Sequence, residues 1–151
     1  MNVIMKYFNK RQGTIEALQD HDLMEAILQN THDDVKAAYG KMIGLGSPQV
    51  TGMPSAHNNK SGEDRIIRGL DDVALLRERY ADAKEYMDWF NKAWDGLTID
   101  EQYILRVCYT SHLSPSLAIE EVSAHFNIER TSAYKKKNRA LDRFSVLLFG
   151  K

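Results

Sequence analysis

The sequence is poor in the residues that usually announce chemistry. Its 151 residues include one cysteine, Cys108, which excludes an internal disulfide framework and any cysteine-based zinc site. Flanked by apolar residues, that thiol reads as a packing side chain rather than a nucleophile. The five histidines, His21, His32, His57, His112 and His125, do not fall at metal-ligand spacings in the sequence. No Walker-type glycine-rich loop, no G-x-S-x-G and no H-E-x-x-H is present. Acidic pairs such as Asp33-Asp34 and Asp71-Asp72 suit helix starts and solvated faces. The expectation is a chain that is not an enzyme, with no catalytic residue, no metal and no cofactor. No apolar run approaches the roughly 20 residues that span a bilayer, so no membrane partner is expected. The opening residues, Met1 to Lys6, are too short for a signal peptide, and a cytoplasmic protein is expected.

What the chain does contain is an ordinary globular balance, 43% apolar and 27% charged, at about one domain's length. The net charge of −1 hides a division along the chain. Residues 1–128 carry 13 basic against 19 acidic side chains, whereas residues 129–151 carry seven against two. An acidic body with a basic C-terminal segment points to a polyanionic partner.

Residues 44–60 hold three of the nine glycines and two of the three prolines, which marks a linker. Downstream, Ser61-Gly62-Glu63-Asp64 suits a helix start. Ile66, Val73, Leu76, Tyr80, Ala83, Met87, Phe90 and Trp94 then follow a heptad, interrupted once at Gly69. Leu75, Tyr86, Trp89 and Ala93 widen that apolar stripe, which is a packing face and needs a partner helix. Residues 14–43 offer one: Met24, Leu28, Val35, Ala38 and Met42 share the spacing, with Thr31 interrupting. Asn30-Thr31 before Asp33-Asp34 could restart a second helix, so one helix or two remains open. A helical hairpin is the expectation, and an oligomeric bundle is the alternative.

Thr98-Ile99-Asp100-Glu101 spells a capping box. Ile99, Tyr103, Ile104, Val107 and Cys108 would form the apolar face of a three-turn helix ending near Thr110. Ser114-Pro115 starts the next helix, with Leu117, Ile119, Val122, Ala124 and Phe126 expected on its buried side. In Phe126-Asn127-Ile128-Glu129, Asn127 stands where left-handed backbone is needed. A third helix, residues 129–149, would bury Ala133, Ala140, Leu141, Phe144 and Leu148. Two short helices joined by a tight turn, the second one basic, describe a helix-turn-helix.

Residues 97–141 resemble region 4 of the sigma-70 family, in the Leu97-to-Glu101 helix start, the turn around Asn127 and the Ala140-Leu141 pair. The whole chain resembles the small phage late-transcription regulators of the RinA/ArpU type, in which a helical segment and a Gly-Pro linker (here Thr51-Gly52-Met53-Pro54-Ser55) precede such a region. The resemblance implies an all-α fold, a hairpin over residues 1–96 and a three-helix DNA-binding module over residues 97–151. It places base reading on Arg130, Thr131 and Lys135, with Ser132 and Tyr134 beside them. Lys137, Asn138 and Arg139 fall at phosphate-contacting positions. Glu129 replaces the usual Ser or Thr cap, Lys136 a usual apolar residue and Asn127 the usual Gly, so base preference does not transfer. The expected function is promoter recognition by a DNA-binding transcription regulator. Its partners would be double-stranded DNA, RNA polymerase and a second copy joined through the N-terminal helices. A small terminase subunit and a helical interaction protein with a degenerate helix-turn-helix are the alternatives.

Overall fold

A computed structural model describes residues 9–43 and 59–151. The described residues are all-helical, without a strand. Five helices follow in order: α1 (Lys10–Ile43), α2 (Asn59–Trp94), α3 (Ile99–Leu105), α4 (Pro115–Phe126) and α5 (Arg130–Phe149). The Gly-Pro stretch expected to be a linker lies outside the described residues up to residue 58; α2 begins at Asn59, slightly ahead of Ser61.

The question of one helix or two before the linker is answered by a single α1. Thr31 does not cap a new helix. Its hydroxyl donates back to the Ile27 carbonyl one turn earlier, which leaves the backbone ladder intact.

The described residues form two compact units. One comprises residues 9–25 and 85–151, the other residues 26–43 and 59–84. This division differs from a boundary at residue 96/97, and the reason is aromatic. Phe90 stacks on Trp94 at 5.5 Å, and both rings meet Phe144 of α5 edge-on, at 5.3 and 5.5 Å. Ala17, Leu18, Phe90 and Ala93 belong to the same buried cluster as Leu105, Ile119, Ala133, Leu141 and Phe144. The last turns of α2 therefore belong to the core of the C-terminal helices.

In the other unit, the helices of α1 and α2 meet through smaller groups: Thr31, Ala38, Val73 and Ala83 are buried. Gly69 is not a gap in the heptad, because the Met42 side chain occupies the space a Cβ would take.

Candidate functional site

Local chemistry builds the C-terminal segment step by step. Thr98 and Glu101 close the capping box, with Glu101 N–H donating to Thr98 Oγ1 at 3.3 Å and Thr98 N–H to Glu101 Oε2 at 2.9 Å. After Leu105 the helix widens into a π-helical turn, Arg106–Thr110, closed by Ser111 N–H on the Arg106 carbonyl at 3.0 Å. Ser114 then caps α4, accepting from Leu117 N–H at 3.4 Å with Pro115 in the first turn. Three placements differ from expectation. Ile99 and Leu117 are 84% and 52% exposed and Ala124 is exposed too, because the buried sides of α3 and α4 narrow to Ile104 with Leu105 and to Ala118, Ile119 with Val122. A side chain 100° off so narrow a stripe turns to solvent.

The connection between α4 and α5 is short. Asn127 adopts φ 51° and ψ 51°, the left-handed region, where Asn is tolerated better than most residues. Ile128 N–H reaches the Ser123 carbonyl at 3.1 Å and Asn127 N–H the Ala124 carbonyl at 3.3 Å, the paired bonds of a Schellman closure. Glu129 precedes α5 with extended backbone and makes no capping bond through its side chain. Ala133 is fully buried, and its small side chain lets α5 approach the core closely.

With Ala133, Ala140, Leu141, Phe144 and Leu148 turned inward, 3.6 residues per turn decide what faces out. Thr131, Ser132, Lys135 and Arg139 are exposed along the outer strip of the first turns. Other residues of the expected site have intramolecular partners. Arg130 donates to Ser116 Oγ at 2.7 Å and pairs with Glu120 at 3.7 Å, both on α4. Asn138 Oδ1 accepts from Arg11 of α1 at 2.8 Å, and the same guanidinium pairs with Asp142 at 3.1 Å. The Lys137 ammonium sits 5.6 Å from the ring centres of both Tyr109 and Tyr134. Lys136, at a position expected to be apolar, lies over Phe126 at 5.0 Å, so its stem packs while its charge stays near solvent.

Acidic side chains limit the positive surface. Arg143 pairs with Glu101 at 3.4 Å, and Arg139 shares a shallow cavity of about 190 Å³ with Asp100 and Glu101. Lys135 and Arg139 are the cations of the outer strip that are exposed and make no ion pair among the described residues. The partners Arg11, Ser116 and Glu120 were not readable beforehand, since their contacts span 127, 14 and 10 positions of sequence.

Two other groups test for chemistry. Burial pushes the Cys108 thiol up, with the Lys137 charge opposing, which keeps it protonated rather than a reactive thiolate. His21, Asp22 and Glu25 bring one ligand atom each within 4.8 Å, a grouping that a search of histidine spacing alone misses. They line a cavity of about 280 Å³ with Phe90 and Trp94, but the same wall carries Arg106, whose positive charge opposes a cation there. No described helix is long and apolar enough to cross a membrane. Comparison with protein-family models, curated proteins and solved structures finds no match.

Proposed function

We propose that the chain is a sequence-specific DNA-binding transcription regulator in which α4, the Asn127 turn and α5 act as a helix-turn-helix. In this reading α1 and α2 form the preceding helical hairpin. The observation that carries the proposal is the left-handed Asn127 closure together with buried Ala133. The pair leaves Thr131, Ser132 and Lys135 exposed on the first turns of a basic helix. A B-DNA major groove admits one helix, and the residues on its outer strip meet base edges. Lys135 is the donor for guanine O6 or N7, while Thr131 and Ser132 serve base edges or phosphates. In this reading Arg130, which bonds Ser116 and pairs with Glu120 on α4, serves a phosphate rather than a base. The resemblance to phage late-transcription regulators supplies the promoter and RNA polymerase as the expected setting.

Footprinting of the purified chain across its own genomic neighbourhood, with transcription assayed in parallel, tests the proposal. On a site so defined, Lys135→Ala should lose about 1–3 kcal/mol of binding and relax discrimination at one base pair. With roughly three phosphate contacts per copy, the logarithm of affinity should fall with log salt at a slope near −3 per copy. A chain that binds no duplex at low salt refutes the reading.

A further inference from the structure

The unit formed by residues 26–43 and 59–84 buries little for its size. Its buried positions are Thr31, Ala38, Gly69, Val73 and Ala83, mostly small groups. The side chains left outside are larger: Ile43, Ile66, Ile67 and Leu70 are 77%, 48%, 57% and 53% exposed. They are also segregated. Arg77 donates to the Tyr39 hydroxyl at 3.4 Å, which identifies the edges of the two helices that share a flank. At 100° per residue, Ile66, Leu70, Ala74 and Arg77 follow one strip of α2, with Ile67 beside it, while Tyr39 and Ile43 follow the facing strip of α1. The opposite flank holds two shallow cavities whose charged lining includes Asp34, Lys41, Arg68, Asp72 and Arg79. One side of the helix pair is therefore mainly charged, with Leu75 as its exposed large apolar residue, and the other is mainly apolar between the charges of Glu63 and Arg77, which is the pattern of half a bundle.

We infer that the apolar flank is a dimerisation surface, covered by the same flank of a second copy, with the two α2 helices antiparallel about a two-fold axis at Leu70. The register follows from charge. In an antiparallel pair centred on residue 70, each residue meets the one equally far on the other side. Leu70 meets Leu70, Ile66 meets Ala74, and Glu63 meets Arg77 at both ends. Glu63, Ala74 and Arg77 are all exposed, so large packs against small and negative against positive. A parallel pair would set Glu63 against Glu63 and Arg77 against Arg77. Self-complementarity of this kind is what a two-fold interface requires of a single surface, and an unrelated partner helix places no such demand on it.

Multi-angle light scattering on the full chain, over a concentration series, tests the inference. The wild type should be a dimer, and Leu70→Lys should shift it to monomer with unchanged far-UV circular dichroism. Glu63→Arg and Arg77→Glu should each weaken association by about tenfold. An equimolar mixture of those two variants should regain the dimer mass, because each copy then supplies the charge the other lacks. A wild type that is monomeric throughout, or that forms a larger ring, overturns the inference. So does a dimer indifferent to Leu70→Lys. If Leu70→Lys loses helicity, the mixing experiment decides, and failure to recover the dimer overturns the register and the surface together.

Discussion

Phe144 is the side chain through which the end of α2 and the C-terminal helices share a core, and its removal has a calculable effect. It is fully buried, and its ring meets Phe90 at 5.3 Å and Trp94 at 5.5 Å, both edge-on. Phe→Ala at such a site costs about 3–5 kcal/mol, the lost transfer of the ring plus the cavity left behind. That is a large share of the roughly 5–15 kcal/mol by which a domain of this kind is stable. The milder pair Phe90→Leu and Phe144→Leu keeps the chain folded and allows a double-variant cycle. Each single change should cost about 1–2 kcal/mol, because part of the volume is retained. The pair should cost less than the sum by about 0.5–1.5 kcal/mol, the share that belongs to the ring–ring contact itself. Urea unfolding, followed by far-UV circular dichroism and by the fluorescence of Trp89 and Trp94, measures all four corners. Additivity to within about 0.3 kcal/mol, or a Phe144→Ala loss under about 1 kcal/mol, would refute the shared core.

Three further outcomes follow from particular contacts. A fragment of residues 97–151, lacking Phe90, Ala93, Ala17 and Leu18 from its buried cluster, should show weak helicity and no cooperative thermal transition by circular dichroism. Gly69→Ala should lower the melting temperature despite the better helix propensity of alanine, about 1 kcal/mol. Its Cβ overlaps Met42 Cγ, which is too near the backbone to swing aside freely, and overpacking costs about 1–3 kcal/mol; a gain in stability would show that Met42 yields. Tyr86 donates to the Ala17 carbonyl, and burial, then Asp20 and Asp22, raise its pKa well above the ordinary 10.0. Its folded form holds the proton longer than the unfolded one, so its contribution is complete below pH 10 and is lost as pH climbs above that value. Tyr86→Phe should flatten the alkaline fall in urea stability.

Much of the local structure was legible because it is written in short-range chemistry. The Thr98–Glu101 box, the Ser114-Pro115 start and the Asn127 turn each depend on residues within a few positions, and each is formed as read. The inward set of α5, from Ala133 to Leu148, follows from helical period alone. What periodicity could not supply is which apolar stripe meets which. The heptad from Val73 to Trp94 reads as one seam, yet Val73 and Phe90 fall in different compact units. Tyr80, a heptad member, remains exposed. Of the residues in the expected site, the outward exposure of Thr131, Ser132, Lys135 and Arg139 follows from helical period, whereas the partners of Arg130 and Asn138 come from α4 and α1. Those pairings depend on packing across the fold, and no local pattern encodes them.

The partners also divide the labour of α5. Its far half is tied down from several sides. Arg11 grips Asn138 and Asp142, Lys10 donates to the Gly150 carbonyl at 3.2 Å, and Trp89 Nε1 donates to the Leu148 carbonyl at 3.2 Å. Arg143 is held by Glu101 and by the Gly96 carbonyl at 3.4 Å each. Charges paired in this way offer less to a polyanion, since a neighbouring carboxylate already offsets part of the charge and occupies some of the donors. The near half is different: Thr131, Ser132 and Lys135 stand on a helix held from behind by fully buried Ala133. If α5 meets DNA as proposed, a cation count over residues 129–151 therefore overstates the surface offered to a duplex. The donors would be those of the first turns together with Arg139, which is exposed and makes no ion pair among the described residues, with the tied-down part of the helix as their mount.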